Sequence, residues 1–133
     1  MRLPKPRIPP VTDAEATEAQ RELMAPFTKD GASPDNVFRT MAQHPELFRR
    51  WSVFANHVLF KQTLVFRDRE ILILRIGALC RSGYEWAQHV QVGRKAKLTD
   101  DEIARIAIGS TADGWSDKDR ALLRAAEELY EDA

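Results

Sequence analysis

The chain is 133 residues long, 44% of them hydrophobic, and its twenty Lys and Arg are balanced by twenty Asp and Glu. That length suits one globular domain with a modest core. The balanced charge leaves no surplus of cations for phosphates, which disfavours general nucleic-acid binding and points to small molecules or other protein subunits as partners. A single cysteine, Cys80, excludes an internal disulfide, a CxxC pair and a cysteine zinc site.

The first eleven residues hold four prolines, which fix φ and remove backbone donors, so they read as an extended arm. No apolar stretch follows the early charges, so the arm is not a secretory signal and the expected location is the cytoplasm. The longest aliphatic run, Ile71 to Leu74, is broken by Arg75 and is far shorter than the roughly 20 residues of a membrane span.

From residue 12 onward the spacing predicts helices in one domain, 12–133. The first begins after Thr12-Asp13, turns Ala16, Ala19, Leu23 and Met24 inward, and fails near Gly31 and Pro34. Asp35 or Asn36 caps a short helix over 37–43. Pro45 starts a third, with Leu47, Trp51, Phe54, Ala55, Val58 and Leu59 at three- and four-residue spacing as core or subunit contacts. His44 reads as a helix-start residue, and His57 as a satisfied core or interface histidine. The fourth element, about 67–81, is apolar on most sides. Its run Ile71 to Leu74 has strand character, but helical neighbours and first-turn acids at Asp68 and Glu70 favour a buried helix. Ser82-Gly83 breaks it, and a fifth helix covers 84–95. Thr99 and Glu102 have capping-box spacing, with Gly109-Ser110 as the stop. Ser116 and Asp119 repeat the start signal before Leu122, Leu123, Ala126 and Leu129. With no strand rhythm, the fold class is all-α.

On the fifth helix Ser82, Glu85 and His89 share one sector, because offsets of three and four residues nearly complete a turn. An imidazole beside a carboxylate can relay protons near neutral pH. The same spacing also describes an ordinary solvated surface pair. Glu70 is open to two readings as well: a first-turn carboxylate facing water, or a desolvated base beside four aliphatic residues. Among Arg67, Arg69, Arg75 and Arg81, Arg75 is the candidate for holding an acidic substrate by paired hydrogen bonds. Three histidines, none at helical ligand spacing, give no metal site.

The segments Arg69-Glu70-Ile71-Leu72-Ile73-Leu74-Arg75, Tyr84-Glu85-Trp86-Ala87-Gln88-His89 and Leu98-Thr99-Asp100-Asp101-Glu102-Ile103 resemble the carboxymuconolactone decarboxylase family. The resemblance covers most of the chain from about Val37 and implies an AhpD-like helical bundle of about six helices, assembled as a trimer or hexamer. In the alkylhydroperoxidase D branch the same region carries Glu, a CxxC and then His. Matched on His89, Ser82 and Glu85 stand where the two cysteines belong, so a dithiol peroxidase is disfavoured. Cys80 would be the thiol of any residual redox chemistry, and a non-catalytic oligomeric binding protein is a further alternative. The decarboxylase branch implies cofactor-free loss of carbon dioxide from a small carboxylated lactone or a related intermediate of aromatic catabolism. By resemblance His89 donates a proton or stabilises the enolate, Glu85 orients it and Glu70 is a second acid/base. Arg75, Tyr84 and Ser82 would contact the acidic substrate. Relatives commonly continue some tens of residues past the position of Ala133, so the resemblance implies a short or incomplete member, with part of the pocket missing or supplied by another subunit.

Overall fold

In the computed structural model, residues 4–28 and 35–132 are described, and they form seven α-helices with no strand among them. The expected stop near Gly31 and Pro34 lies outside the described residues. Contacts gather the chain into two compact units, 1–62 and 63–133.

In the first unit, α1 spans Glu18–Met24, α2 Asn36–Met41 and α3 Pro45–Asn56. Helix α1 starts later than the Thr12-Asp13 signal suggests. Thr12 and Glu15 instead close a turn, their side chains 2.6 Å apart, and the capping box is made by Thr17 and Gln20. The proline-rich arm is tied to α2: Val11 N–H donates to the Arg39 carbonyl, and the buried Arg39 guanidinium donates to the Val11 carbonyl at 2.6 Å. Val11, Ala16, Met24, Ala42 and Phe48 form the apolar cluster, with Phe27, Phe38 and Trp51 against it.

Helix α3 differs from its expected stripe. Phe48 and Ala55 are buried, whereas Leu47, Phe54 and Val58 are exposed in the single chain. The helix is apolar on two sides, and α1 and α2 cover only one. His44 does start the helix, its Nδ1 accepting from Leu47 N–H at 3.2 Å. His57 is exposed, at the head of a π-helical turn spanning His57–Lys61, and not in a core.

In the second unit, α4 spans Phe66–Leu79, α5 Gly83–Lys95, α6 Asp100–Ile108 and α7 Asp117–Asp132. Helix α4 is central. Its Ile71 and Leu74, three residues apart on one face, join Leu98, Ile103, Ile106, Ala112, Trp115 and Leu123 in one buried cluster, and the run Ile71 to Leu74 is helical throughout. Arg81 and Lys97 adopt left-handed conformations that end α4 and α5. In each case the next N–H returns to a carbonyl in the last turn, Ser82 to Gly77 at 2.9 Å and Leu98 to Gly93 at 3.0 Å. The Thr99–Glu102 capping box forms as expected.

Charged groups tie α4 to its neighbours. Arg67 donates to Asp119 at 2.7 Å and to Glu102 at 2.6 Å, and Lys118 lies 2.6 Å from the buried Asp68. Arg75 donates to the Ile106 and Ala107 carbonyls. Its Nε sits 2.8 Å from Glu127 as a charge contact, not aligned for a hydrogen bond. Glu127 in turn accepts from the backbone N–H and hydroxyl of Ser110. A side chain at Gly109 would enter this cluster: φ there is +113°, and a Cβ would lie 2.4 Å from both Arg75 and Glu127.

The Arg67 guanidinium holds the Asp119 carboxyl below its ordinary range against the opposing effect of burial. For Glu102 and Glu127 burial pushes upward, but hydrogen bonds from Thr99 and Arg67 to the first, and hydrogen bonds from Ser110 with the Arg75 charge to the second, outweigh it and leave both lowered. A carboxyl lowered in the folded state stabilises the fold above its unfolded value, and that contribution is lost as pH falls through the folded value. Arg67→Met should therefore cost about 2 kcal/mol in urea unfolding at pH 7 and flatten the loss of stability below pH 4. An unchanged acid limb would remove Arg67 as its cause. Gly109→Ala should lower stability by about 3 kcal/mol, read as a fall in the thermal midpoint.

Candidate functional site

The site is built by the α4–α5 pair. Glu70 lies in the second turn of α4, and its side chain has no exposure to solvent. The first-turn, water-facing reading of this residue is thereby replaced by the desolvated one. A carboxylate so placed requires donors. Arg69 supplies two of them, with Nε at 3.0 Å and a terminal nitrogen at 2.9 Å from Glu70 Oε1. The Arg69 guanidinium rests over the Phe66 ring, 4.8 Å from its centre.

The other oxygen of Glu70, Oε2, lies 2.7 Å from His89 Nδ1 on α5. An ionised carboxylate only accepts, so the hydrogen-bond pattern assigns the Nδ1 proton to the ring and directs Nε2 away from Glu70. On that side Nε2 lies 3.3 Å from Glu85 Oε1. The result is one line, Arg69–Glu70–His89–Glu85. Side-chain exposure along it rises from 0% at Glu70 to 21% at His89 and 45% at Glu85. A proton can therefore enter at Glu85, pass to the imidazole and be held there by a buried counter-charge.

Gly77 faces α5 at the Glu85 end: a Cβ there would meet the Glu85 side chain at 3.7 Å and the Trp86 backbone at 3.8 Å, ordinary van der Waals contact. Beside Glu85 an open groove of about 460 Å³ is walled by Leu72, Ile73 and Ile76, with Cys80 and Ser82 at its end. A second cavity of about 630 Å³ is lined in part by Arg75, Cys80, Arg81 and Tyr130.

Of the residues singled out from sequence, Glu70, Glu85 and His89 are brought together. Ser82 flanks the same groove and makes no side-chain cap for α5. Tyr84 is partly exposed at the start of α5. Arg75 stands apart: it lines the other cavity, and its guanidinium is occupied by two carbonyls and Glu127. Cys80 is exposed and touches both cavities. Arg69, grouped in the sequence with the other arginines, is the one that completes the site. Helical neighbours one residue apart point in different directions, so the pattern gave it no priority, although Phe66 three residues before it offers a platform. No group of three or more His, Cys, Asp or Glu among the described residues could hold a metal ion. No helix there is long and apolar enough to cross a membrane.

The family model described as the carboxymuconolactone decarboxylase family matches residues 45–128, from the first residue of α3 into α7. Comparison with curated proteins gives no match. Comparison with solved structures gives none either.

Arg69→Met should leave Glu70 buried with a single donor and cost about 3 kcal/mol in urea unfolding. The double change Arg69→Met with Glu70→Leu should recover most of that loss, because it removes the stranded charge as well as its partner. A single variant within 0.5 kcal/mol of the parent, roughly the scatter for inert surface changes, would show that Arg69 does not compensate Glu70.

Proposed function

Because the chain belongs to the carboxymuconolactone decarboxylase family, we propose that it is a cofactor-independent acid/base carboxy-lyase acting on a small carboxylated lactone or a related aromatic-catabolism intermediate. The observation that carries this reading is the line from buried Glu70, hydrogen-bonded to His89 Nδ1, to half-exposed Glu85, whose carboxylate makes a 3.3 Å charge contact with His89 Nε2. Breaking the bond between the ring carbon and the carboxylate releases carbon dioxide, and the electron pair delocalises onto the carbonyl oxygen. That enolate needs a nearby positive group and then a proton on carbon.

His89 meets both needs through Nε2. As imidazolium it offers N–H to the developing oxyanion or carbon, and Glu70 keeps the ring oriented and balances its charge. Glu85, at the solvent end, resupplies the proton. Glu70 acts through His89 and touches no substrate, which makes it a positioning residue and refines the second acid/base role suggested by resemblance. Self-association as a trimer or hexamer belongs to the same reading, supported by exposed Leu47, Val53, Phe54, Val58 and Phe60 on α3 and the π turn after it. The cytoplasm is the proposed location.

Purified protein incubated with γ-carboxylated unsaturated lactones should release carbon dioxide. His89→Ala should reduce kcat by about 10²–10⁴-fold with the helical content intact. Glu85→Gln should weaken the rate and its pH dependence together, and Cys80→Ser, which alters one groove-lining atom but no proton-transfer group, should retain carbon dioxide release. Peroxide consumption abolished by Cys80→Ser, without any carbon dioxide release, would replace this reading with a thiol peroxidase.

A further inference from the structure

Resting on the carboxy-lyase reading above, we infer that the substrate is an apolar monocarboxylate, an aryl or alkyl β-keto acid in chemical class, whose single carboxylate is the group that leaves. The groove beside Glu85 points to this. Its walls are the aliphatic side chains of Leu72, Ile73 and Ile76, its polar groups are Cys80, Ser82 and Glu85, and no basic residue is among the described residues that line it.

The nearby arginines of α4 are committed elsewhere. Arg67 holds Asp119 and Glu102, Arg69 holds Glu70, and Arg75 holds Glu127 and two carbonyls. Arg81 lines the other cavity. A substrate with two or three carboxylates would place at least one of them permanently between aliphatic walls and the Glu85 carboxylate, with no cation among the residues that line the groove. Like charge and lost hydration both oppose that placement.

The departing carboxylate escapes the penalty because it becomes neutral carbon dioxide. The carbon–carbon bond breaks, its electron pair becomes the enolate, and one proton delivered through Glu85 and His89 to carbon gives the ketone. Charge leaves the apolar groove during the reaction and collects on the carbonyl oxygen, for which the donors are the groove-lining Ser82 hydroxyl and His89 Nε2, which lies behind the groove-lining Glu85 at 3.3 Å. Aliphatic walls therefore favour the transition state over the bound carboxylate.

The test uses the full chain with benzoylacetate and 3-oxoglutarate, β-keto acids bearing one and two carboxylates, and follows carbon dioxide release. Wild-type kcat/KM should favour benzoylacetate by at least about tenfold. Ile76→Arg, at a partly exposed position, should narrow that preference about tenfold or more by supplying the missing cation. Without any variant, 3-phenylpropionate should inhibit competitively, and glutarate at the same concentration should not. Preference for 3-oxoglutarate, or inhibition by glutarate alone, would overturn the inference while leaving the carboxy-lyase reading intact. A fall in assembly mass on Ile76→Arg would assign the groove to a subunit contact and also overturn it. Release of no carbon dioxide from either acid or from the carboxylated lactones would sink both.

Discussion

Burial of the Glu70 carboxylate is the constraint on which the α4–α5 pair depends. A carboxylate with no solvent contact is tolerable only where donors surround it, and here they come from its sequence neighbour Arg69 and from His89 on the next helix. The same contact that satisfies Glu70 orients the imidazole, so stability and chemistry draw on one hydrogen bond. Helix α4 repeats the device. Asp68 meets Lys118 and Arg75 meets Glu127, both on α7, so three ionisable groups on one buried helix each select a specific partner. Sliding α4 by one residue would strand all three.

Much of this was legible in the sequence where the signal is local. Thr99 with Glu102 marks the start of α6, Ser116 with Asp119 that of α7, and the four-residue offset of Glu85 and His89 puts them on one face. The family likeness of the Glu70–His89 block agrees with the matched region. Less could be read where tertiary context decides. First-turn acids usually face water, so the pattern could not show that α5 would cover Glu70. Arg69 was hidden by adjacency, since a long side chain folding back onto residue i+1 leaves no period. Arg75 looked like a substrate anchor because nothing local announced Glu127, fifty-two positions later, as its partner. The late start of α1 came from two competing Thr signals, of which Thr17 with Gln20 closes the stronger capping box.

The electrostatics of the site run in one direction. Arg69 and Glu70 make up the buried end of the line, and Glu85 at the other end is open to solvent. Pairing that line with an aliphatic groove gives a chemical preference that neither feature has alone. On the carboxy-lyase reading, aliphatic walls disfavour a carboxylate that stays and spare one that departs as carbon dioxide.

The link between α4 and α5 carries a consequence for how the site forms. Arg81 in its left-handed turn and the return bond from Ser82 reverse the chain within a few residues, and Glu70 and His89 are only nineteen positions apart. Loop closure over so short a span is cheap, and pairs of neighbouring helices form early on the folding timescale. The Glu70–His89 contact is thus a low-contact-order element, able to nucleate the second unit before α7 arrives to lock Asp68 and Arg75. Substitutions at this pair should register in the folding rate, those at the α7 contacts in the unfolding rate.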